Sequence, residues 1–263
     1  MPTLRVVTLN MWGAEPPLQE RMTLLTAGLR TLNPDVIALQ EVRAIPNQLP
    51  NQAETLAAAL GMSCAFAVAT GDEGLAILSK FPIVSSRHFE LPHAIESERR
   101  IVLGAEIETV AGSAELFTTH LNYRFTDGKK REDQVVALET WIAERASELP
   151  KILMGDFNAR PESDEIRFLK GLHTIADRRV YYQDAFELLH PGEAGYTWAK
   201  VNPYTEKLAF LERDRRIDYI FVTPRRKDGR GTIETCDIVL HQADANGVLP
   251  SDHYGLCANI RLR

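Results

Sequence analysis

The chain has 263 residues, of which 44% are hydrophobic and 25% are charged. These proportions are those of an ordinary globular protein with ample apolar material for a core, and the length fits one undivided domain over residues 1–263. The formal net charge of −6 argues against a non-specific nucleic-acid binder, which usually carries a basic surplus.

Eight short apolar runs, rich in β-branched residues, predict β-strands. In chain order they span residues 4–9, 36–39, 75–78, 101–107, 116–119, 152–154, 217–222 and 255–262. In the last run, apolar residues at the even positions alternate with Cys257, Asn259 and Arg261. This alternation predicts a strand that is buried on one face only.

Four segments between these runs have features of amphipathic helices. They are residues 18–32, residues 51–60 before Gly61, the segment that follows Gly128, and a short segment opened by Pro161. The strands outnumber the helices and come in consecutive pairs. This order favours an α/β fold in which two mainly antiparallel sheets pack together with helices outside, rather than a doubly wound parallel sheet.

The cysteine content and the hydropathy indicate where the protein resides. Cys64, Cys236 and Cys257 lie far apart and form no C-x-x-C pair, which argues against a structural zinc site. An odd number of separated cysteines suits a reducing compartment. The N-terminal run lacks the pattern of a signal peptide, and no apolar stretch reaches membrane-spanning length. We therefore expect a soluble cytoplasmic protein without a membrane span.

Polar residues follow or precede the apolar runs in a recurrent pattern. They are Asn10, Glu41, His120, Asp156, Asn158, Asp218, Asp252 and His253. A sheet edge can gather such residues in space although they are far apart in sequence. In extended backbone Asp156 and Asn158 project to one side while Phe157 points to the core. Gly155 is expected to let the backbone approach a ligand closely.

These residue types predict a site that binds a hard metal ion and acts on a phosphate ester. Carboxylate and amide oxygens suit Mg²⁺, with Mn²⁺ as a substitute, better than they suit zinc. A bound cation screens the phosphate from the acidic side chains, and a water oriented by a carboxylate then attacks phosphorus. Two histidines can move protons or hydrogen-bond the phosphoryl oxygens. The expected partner is thus a phosphate-ester substrate, with nucleic acid as one candidate; no protein partner is inferable.

Each of these residues also has an ordinary structural interpretation. A single Asp or Asn after a strand is most often a turn former or a helix cap. Asp218 can pair with Arg215 or Arg216, and His120 alone is typical of a structural histidine. The combination of acids, amides and histidines, rather than any single member, favours a phosphoesterase.

The motifs resemble those of the endonuclease/exonuclease/phosphatase superfamily, which has the DNase I-like fold. The resemblance covers nearly the whole chain, and its most specific motifs are Gly-Asp-Phe-Asn at 155–158 and Ser-Asp-His at 251–253. It implies a four-layer α/β sandwich of two mainly antiparallel sheets packed face to face and flanked by helices. It also implies that Glu41 is the principal metal ligand, with Asn10 beside it and Asp252 in the metal region.

The resemblance further implies the catalytic roles. Asp156 matches the residue that orients or deprotonates the attacking water, and Asn158 matches an amide that binds the phosphate. His253 matches the histidine that contacts the scissile phosphate, oriented by Asp218. His120 matches a second histidine of DNase I-like and sphingomyelinase-like members. Abasic-site repair nucleases carry tyrosine at that position, which makes that activity less favoured.

Three functions remain open at this point. The first is a phosphodiesterase. The second is a nuclease, which would use the arginine-rich clusters at 129–131, 213–216 and 225–230 as a groove for the nucleic-acid backbone, although each cluster also fits a solvated loop. The third is a catalytically silent binding module with the same fold, against which the complete set of acid, amide and histidine residues argues.

Overall fold

The computed structural model describes residues 2–44, 51–93, 95–206 and 213–263. Within these ranges it contains twelve strands and five α-helices. The strands are β1 (Thr3–Asn10), β2 (Val36–Arg43), β3 (Ser63–Thr70), β4 (Glu73–Ser79), β5 (Ile83–Glu90), β6 (Ile101–Thr109), β7 (Gly112–His120), β8 (Ile152–Asp156), β9 (Gln183–Asp184), β10 (Asp218–Val222), β11 (Ile233–Val239) and β12 (Gly255–Arg261). The helices are α1 (Leu18–Leu32), α2 (Gln52–Leu60), α3 (Gly128–Ala143), α4 (Asp164–Leu169) and α5 (Ala185–Leu189).

The strands form two six-stranded sheets. The first sheet has the order β11-β12-β1-β2-β4-β3 and the second has the order β5-β6-β7-β8-β10-β9. The pairs β1–β2 and β7–β8 are parallel, whereas the other neighbours are antiparallel, so both sheets are mixed. This arrangement confirms the expected fold of two mainly antiparallel sheets.

Three apolar clusters divide the molecule into four layers. One cluster joins the two sheets face to face, with residues such as Val6 from β1 and Met154 from β8. A second packs the outer face of the first sheet on α1 and α2, and a third packs the outer face of the second sheet on α3 and α4. Burial of these apolar faces is the main favourable contribution to the free energy of folding.

The strand pairing brings the polar strand ends to one edge. Asn10 pairs with Gln40 between β1 and β2. Asp156 pairs with His120 on one side and with Asp218 on the other. The chain reaches β12 from 251–253 beside β1, where Thr8 pairs with Leu256. The ends of the central strands in both sheets therefore converge.

The helix predictions are confirmed, and helix α1 has the bounds that the sequence indicated. In α2 the Asn51 side chain accepts from the N–H of Glu54, and Gly61 ends the helix in the left-handed conformation. All eight predicted strands are present, but β3, β5, β9 and β11 were not predicted. The prediction of a one-face-buried β12 was wrong for Cys257, which is buried against the layer of α1.

Two details near 155–158 differ from expectation. Gly155 has φ +141°, and a Cβ there would lie 2.1 Å from the Thr119 carbonyl oxygen. The close approach that requires glycine is thus to the neighbouring strand rather than to a ligand. Asn158 has φ +50°, so it does not continue the extended backbone that ends at Asp156. Phe157 is fully buried, as expected.

None of the described helices combines the length and hydropathy needed to cross a membrane.

Candidate active site

Asp156 and Asn10 join the two sheets at the centre of the site. The Asn10 side-chain amide donates to Glu41 Oε1 at 2.9 Å and to Asp156 Oδ2 at 3.0 Å. Asn10 belongs to the first sheet and Asp156 to the second. Both side chains are about 1% exposed, so these hydrogen bonds form away from bulk water. The contact holds two carboxylates close together at the sheet edge.

A bulge in β2 sets the position of Glu41. The pairing of β2 with β4 shifts register between Leu39 and Val42, and Glu41 has φ +54°. A bulge changes the direction in which a side chain points, and a left-handed backbone at a non-glycine residue is strained. The preceding residue, Gln40, donates to Thr8 Oγ1 in its own sheet and to Thr118 Oγ1 in the other. The strained backbone is thereby fixed beside a cross-sheet hydrogen bond.

Two histidines face the same carboxylate oxygen. His120 Nε2 lies 3.5 Å from Asp156 Oδ2 and 4.0 Å from Glu41 Oε1. His253 Nε2 lies 3.8 Å from Asp156 Oδ2. His253 Nδ1 lies 2.9 Å from Asp218 Oδ2, so the ring is held from behind. Asp156 thus lies between two imidazoles, each of which presents Nε2 to the site.

Asp252 and Asn158 lie beside this centre with different partners. Ser251 Oγ donates to the carbonyl of Asn10 at 2.6 Å and lies 3.2 Å from Asp252 Oδ1. This contact attaches the 251–253 segment to the end of β1. The Asn158 N–H donates to Asp156 Oδ1 at 2.8 Å, while its side-chain amide donates to the Leu121 carbonyl. The Asn158 amide oxygen is therefore left for other partners.

Three acidic side chains of the site have pKa values above those of ordinary carboxyl groups. Burial, followed by the charges of Glu73 and Asp252, raises the pKa of Glu41 to about 7. Burial and the charge of Asp218 raise the pKa of Asp156 to about 6. Burial also raises the pKa of Asp252. In each case the carboxylate is removed from water and placed near others of the same charge.

The two histidines have opposite electrostatic environments. Burial, followed by the positive charge of Arg100, lowers the pKa of His120 well below its ordinary value. Burial also opposes the charged form of His253, but neighbouring carboxylates, led by Asp218, outweigh it and hold that pKa well above the ordinary value. A neutral ring and a cationic ring therefore stand on either side of Asp156.

The donor set fits a divalent cation. Asp156, Asp218 and His253 each place one potential ligand atom within 4.8 Å of the others, with the cationic His253 ring able to ligate only after losing a proton, and Glu41 approaches from the other sheet. Asp218 Oδ1 is buried without a hydrogen-bond partner in the described part of the chain. Hard carboxylate oxygens of this kind suit Mg²⁺ or Mn²⁺. Asn10 differs from the expected ligand arrangement, because its Oδ1 accepts from the Trp12 N–H while its NH₂ faces the carboxylates.

The sequence motifs did not identify two buried arginines next to the site. Arg100 donates to His120 Nδ1 at 3.0 Å and lies 3.8 Å from Glu73. Arg21 is 1% exposed and donates to the carbonyls of Met11, Trp12 and Gly13, the three residues that follow Asn10. Neither arginine belongs to a strand-end motif. Only its position directly before a buried apolar run distinguished Arg100.

The arginine-rich clusters are largely engaged within the protein. Arg131, whose cluster also fitted a solvated loop, is buried and donates to Glu165 at 2.5 Å. Arg216 is buried against Asp184 at 2.7 Å and does not pair with Asp218. These two side chains cannot contact a nucleic-acid backbone without breaking a buried ion pair. Arg225 and Arg226 are exposed.

Comparisons with known proteins give concordant results. The model of the "Endonuclease/Exonuclease/phosphatase family" matches residues 7–253. Exodeoxyribonuclease III of Haemophilus influenzae is 26% identical over 289 residues, covering 98% of this chain and 100% of that protein. TDP2 of D. rerio, complexed with single strand DNA product, has a TM-score of 0.80 at 23% identity and covers 99% of this chain and 100% of its own.

The human Nocturnin catalytic domain with bound sulfate has a TM-score of 0.74 at 20% identity, covering 100% of this chain and 94% of that one. At these identities the solved structures show a shared fold. The family model, in contrast, spans most of the chain and includes every residue of the cluster around Asp156. The chain therefore belongs to the endonuclease/exonuclease/phosphatase family, a superfamily of metal-dependent phosphoesterases and nucleases.

Proposed function

We propose that this protein is a Mg²⁺-dependent phosphodiesterase that hydrolyses its substrate by attack of water on phosphorus. The observation that carries the proposal is the position of Asp156, whose Oδ2 lies within 4 Å of Asn10, His120 and His253. A carboxylate that lies between a neutral and a cationic imidazole can accept a proton from water. The imidazole N–H groups can at the same time donate hydrogen bonds to the phosphate.

Glu41 and Asp252 are the proposed ligands of the cation, with Asn10 positioning Glu41. When bound, Mg²⁺ or Mn²⁺ neutralises phosphate charge and favours ionised carboxylates. The charge of Asp252 contributes to the raised pKa of Glu41, and both side chains are partly buried with raised pKa values. A bound cation would therefore favour the anionic forms of both carboxylates.

Asp156 is the proposed base, which orients the water and receives its proton. Its pKa of about 6 makes it ionised in most molecules at neutral pH and still basic enough to accept a proton. The Asn158 N–H fixes Oδ1, so Oδ2 is the oxygen that faces the reacting groups. The Asn158 side-chain NH₂ donates one hydrogen to the Leu121 carbonyl and has a second that can donate to a phosphoryl oxygen.

The two histidines stabilise charge on the phosphoryl group. His253, held by Asp218, is protonated and presents an Nε2–H. His120 accepts from Arg100 at Nδ1, which places its own proton on Nε2 in the neutral ring. Both rings can donate to phosphoryl oxygens as negative charge develops, and His253 can also protonate the leaving oxygen.

An activity screen tests the proposal. Bis-p-nitrophenyl phosphate and p-nitrophenyl phosphate are compared with EDTA, Mg²⁺ or Mn²⁺, in the wild type and in Asp156→Asn. We expect metal-dependent hydrolysis of the diester, faster than of the monoester, and loss of this activity in the variant. Wild-type protein that binds Mg²⁺ yet hydrolyses none of the phosphate esters supplied would instead support a binding module. The screen therefore includes DNA, RNA, sphingomyelin and inositol phosphates.

A nuclease is the second candidate, favoured by exposed aromatic rings near the site. Tyr123 and Phe125 are more than half exposed and follow Leu121, whose carbonyl accepts from Asn158. The Arg215 guanidinium lies over the Phe125 ring at 5.4 Å. Exposed aromatic rings can stack on unpaired bases.

Cleavage of single-stranded and double-stranded oligonucleotides tests this candidate. We expect single strands to be cleaved faster, and Phe125→Ala to raise KM for them without changing the rate on bis-p-nitrophenyl phosphate. Oligonucleotide affinity should fall steeply between 50 and 200 mM salt, as expected for phosphate contacts. Salt-independent affinity, or an unchanged KM in Phe125→Ala, would count against a nuclease while leaving the phosphodiesterase assignment intact.

A further inference from the structure

A cavity lies at the opposite end of the strands that carry Asp156 and Asp218. Its volume is about 750 Å³, and Lys151 and Thr223 line it. Lys151 directly precedes β8 and Thr223 directly follows β10, whereas Asp156 and Asp218 occupy the other ends of these strands. Four residue steps of about 3.3 Å separate the ends of each strand, so roughly 13 Å of sheet lies between the cavity and the site.

The cavity is strongly basic although the chain is acidic. Its cationic lining residues are Arg145, Lys151, Arg179, Arg225 and Arg226. Among the described residues that line it, Glu139 is the one carboxylate, and it already accepts from Arg178 at 3.1 Å. Outside the lining, Glu115 lies 3.9 Å from the Arg145 guanidinium and offsets part of this charge. Five cations and one carboxylate still line the common space, and such an excess of positive charge favours binding of an anion.

Two of the cations are held in position by burial and packing. The Arg145 guanidinium lies 4.1 Å from the Trp141 ring centroid, and its buried Nε has no hydrogen-bond partner in the described ranges. Lys151 Nζ donates to the Ile142 carbonyl at 2.8 Å. Burial lowers the pKa of both groups. Each side chain is thus partly removed from water and kept next to the others, as in a preformed anion site.

We propose that this cavity, named here the basic cavity, binds a small anion carrying two or more phosphates, of the size of a nucleoside diphosphate. The volume lies within the roughly 300–1,000 Å³ range of small-molecule pockets. Guanidinium groups match phosphate oxygens through paired hydrogen bonds. The Tyr181 side chain, 55% exposed at the lining, offers a ring face to a planar base. This ligand site is separate from the proposed catalytic reaction.

Calorimetric titration with ADP, pyrophosphate and adenosine, at 150 mM salt with EDTA, tests the proposal. The chelator removes divalent cations, so metal-dependent binding at the catalytic cluster is suppressed. We expect ADP and pyrophosphate to bind with a 1:1 stoichiometry and adenosine not to bind. Arg179→Glu and Arg225→Glu should each weaken ADP binding by at least ~10-fold, because each replaces a phosphate-facing cation with an anion.

Two control variants locate the binding. Arg30→Glu makes the same charge reversal at an exposed position of α1, and Asp156→Asn alters the catalytic cluster. Both should bind ADP as the wild type does. Absence of ADP and pyrophosphate binding to the wild type would overturn the proposal. So would adenosine binding as tightly as ADP, an equal loss in Arg30→Glu, or a loss confined to Asp156→Asn.

Discussion

At the scale of single residues, one carboxylate organises the candidate site. Asp156 Oδ2 faces Asn10, His120 and His253, while Oδ1 accepts from the N–H of Asn158. The shape of the site therefore depends on the position of this side chain, and its chemistry depends on the charge. An isosteric substitution separates the two contributions.

Asp156→Asn keeps the size of the side chain and removes its capacity to accept a proton. We predict that kcat for bis-p-nitrophenyl phosphate falls by at least ~10²-fold, as expected for a lost general base. The variant should remain folded, because an amide oxygen can still accept from Asn10. Asp164→Asn, at the exposed start of α4, is the matched control and should keep wild-type kinetics. A near-normal kcat in a folded Asp156→Asn protein would contradict the assigned role.

Arg100 is predicted to act on His120 rather than on the substrate. Because it donates to Nδ1, its removal frees His120 to adopt either tautomer. We expect Arg100→Ala to lower kcat by about 10-fold, less than the ~10²–10⁴-fold typical of a group that transfers the proton itself. The ¹⁵N chemical shifts of the His120 ring should change from one tautomer to a mixture. Arg100→Lys, which retains a cation, should show smaller changes. Unchanged ¹⁵N shifts in Arg100→Ala would refute this role.

The residues that meet around Asp156 could be selected from the sequence because they stand where apolar runs begin or end. Arg100 and Arg21 could not be selected in this way. Their partners are a ring on β7 and the carbonyls after β1, and these contacts depend on how separate segments pack. The same holds for the bulge at Glu41, which is set by pairing with β4. Local sequence identifies polar strand ends but does not encode their long-range hydrogen-bond partners.

At the scale of elements, the strands that the sequence did not reveal are the four outermost ones. These are β11 and β3 in the first sheet and β5 and β9 in the second. An edge strand is less buried and carries polar residues that discourage pairing with other chains. β5 is mostly exposed, and β11 alternates less clearly than β12. Apolar runs identify central strands, which are covered on both faces, whereas edges lack that signal.

The parallel pair β7–β8 depends on glycine at 155. A Cβ at this position would lie 2.1 Å from the Thr119 carbonyl oxygen, and φ +141° is unfavourable for other residues. We predict that Gly155→Ala destabilises the protein by about 2 kcal/mol or more, in the range for strain at a special backbone conformation. Thermal and denaturant unfolding measure the loss. The paired strands carry Asp156 and His120, so activity should fall as well.

Gly128→Ala is the control for this substitution. Gly128 is the first residue of α3 with φ −49°, and a Cβ there would meet no atom within 4 Å. Alanine is better than glycine within helices by roughly 0.5–1 kcal/mol, so this variant should be as stable as the wild type or slightly more stable. Equal stability of Gly155→Ala and the wild type would show that β7 and β8 can move apart to accommodate the added Cβ without a loss in the free energy of unfolding.

At the scale of the whole molecule, the fold brings several carboxylates together where two sheets meet. Glu41 lies on β2 of the first sheet, and Asp252 lies in the loop that precedes β12 of the same sheet. Asp156 and Asp218 lie on strands of the second sheet. Folding therefore removes like charges from water and brings them closer. In metal-free protein this opposes folding whenever the groups are ionised. The stability of the molecule should consequently depend on pH and on divalent cations together.

The direction in which stability changes with pH is clearest for Glu41. Its pKa rises from an ordinary value of 4.5 to about 7 in the folded protein, so the folded state binds more protons between these values. The stabilisation is complete below about pH 4.5 and is lost as the pH rises through about 7. At 1.36 kcal/mol per unit, the wild type should lose on the order of 3 kcal/mol relative to Glu41→Gln across this window. The free energy of unfolding is measured against pH for the wild type and for Glu41→Gln. Subtracting the second curve from the first removes the contributions of other groups, such as His120, which have the opposite sign.

Added Mg²⁺ should reverse this loss only where Glu41 is ionised. We predict that millimolar Mg²⁺ raises the wild-type unfolding temperature at pH 8 and has little effect at pH 5, because ligand carboxylates must lose their protons before they bind. Glu41→Gln should respond weakly at both values. Differential scanning fluorimetry, with Mg²⁺ or with EDTA in its place, measures this shift for the wild type and for Glu41→Gln at pH 5 and at pH 8. An equal Mg²⁺ shift in Glu41→Gln at pH 8 would place the cation elsewhere, on the group of Asp156, Asp218 and His253.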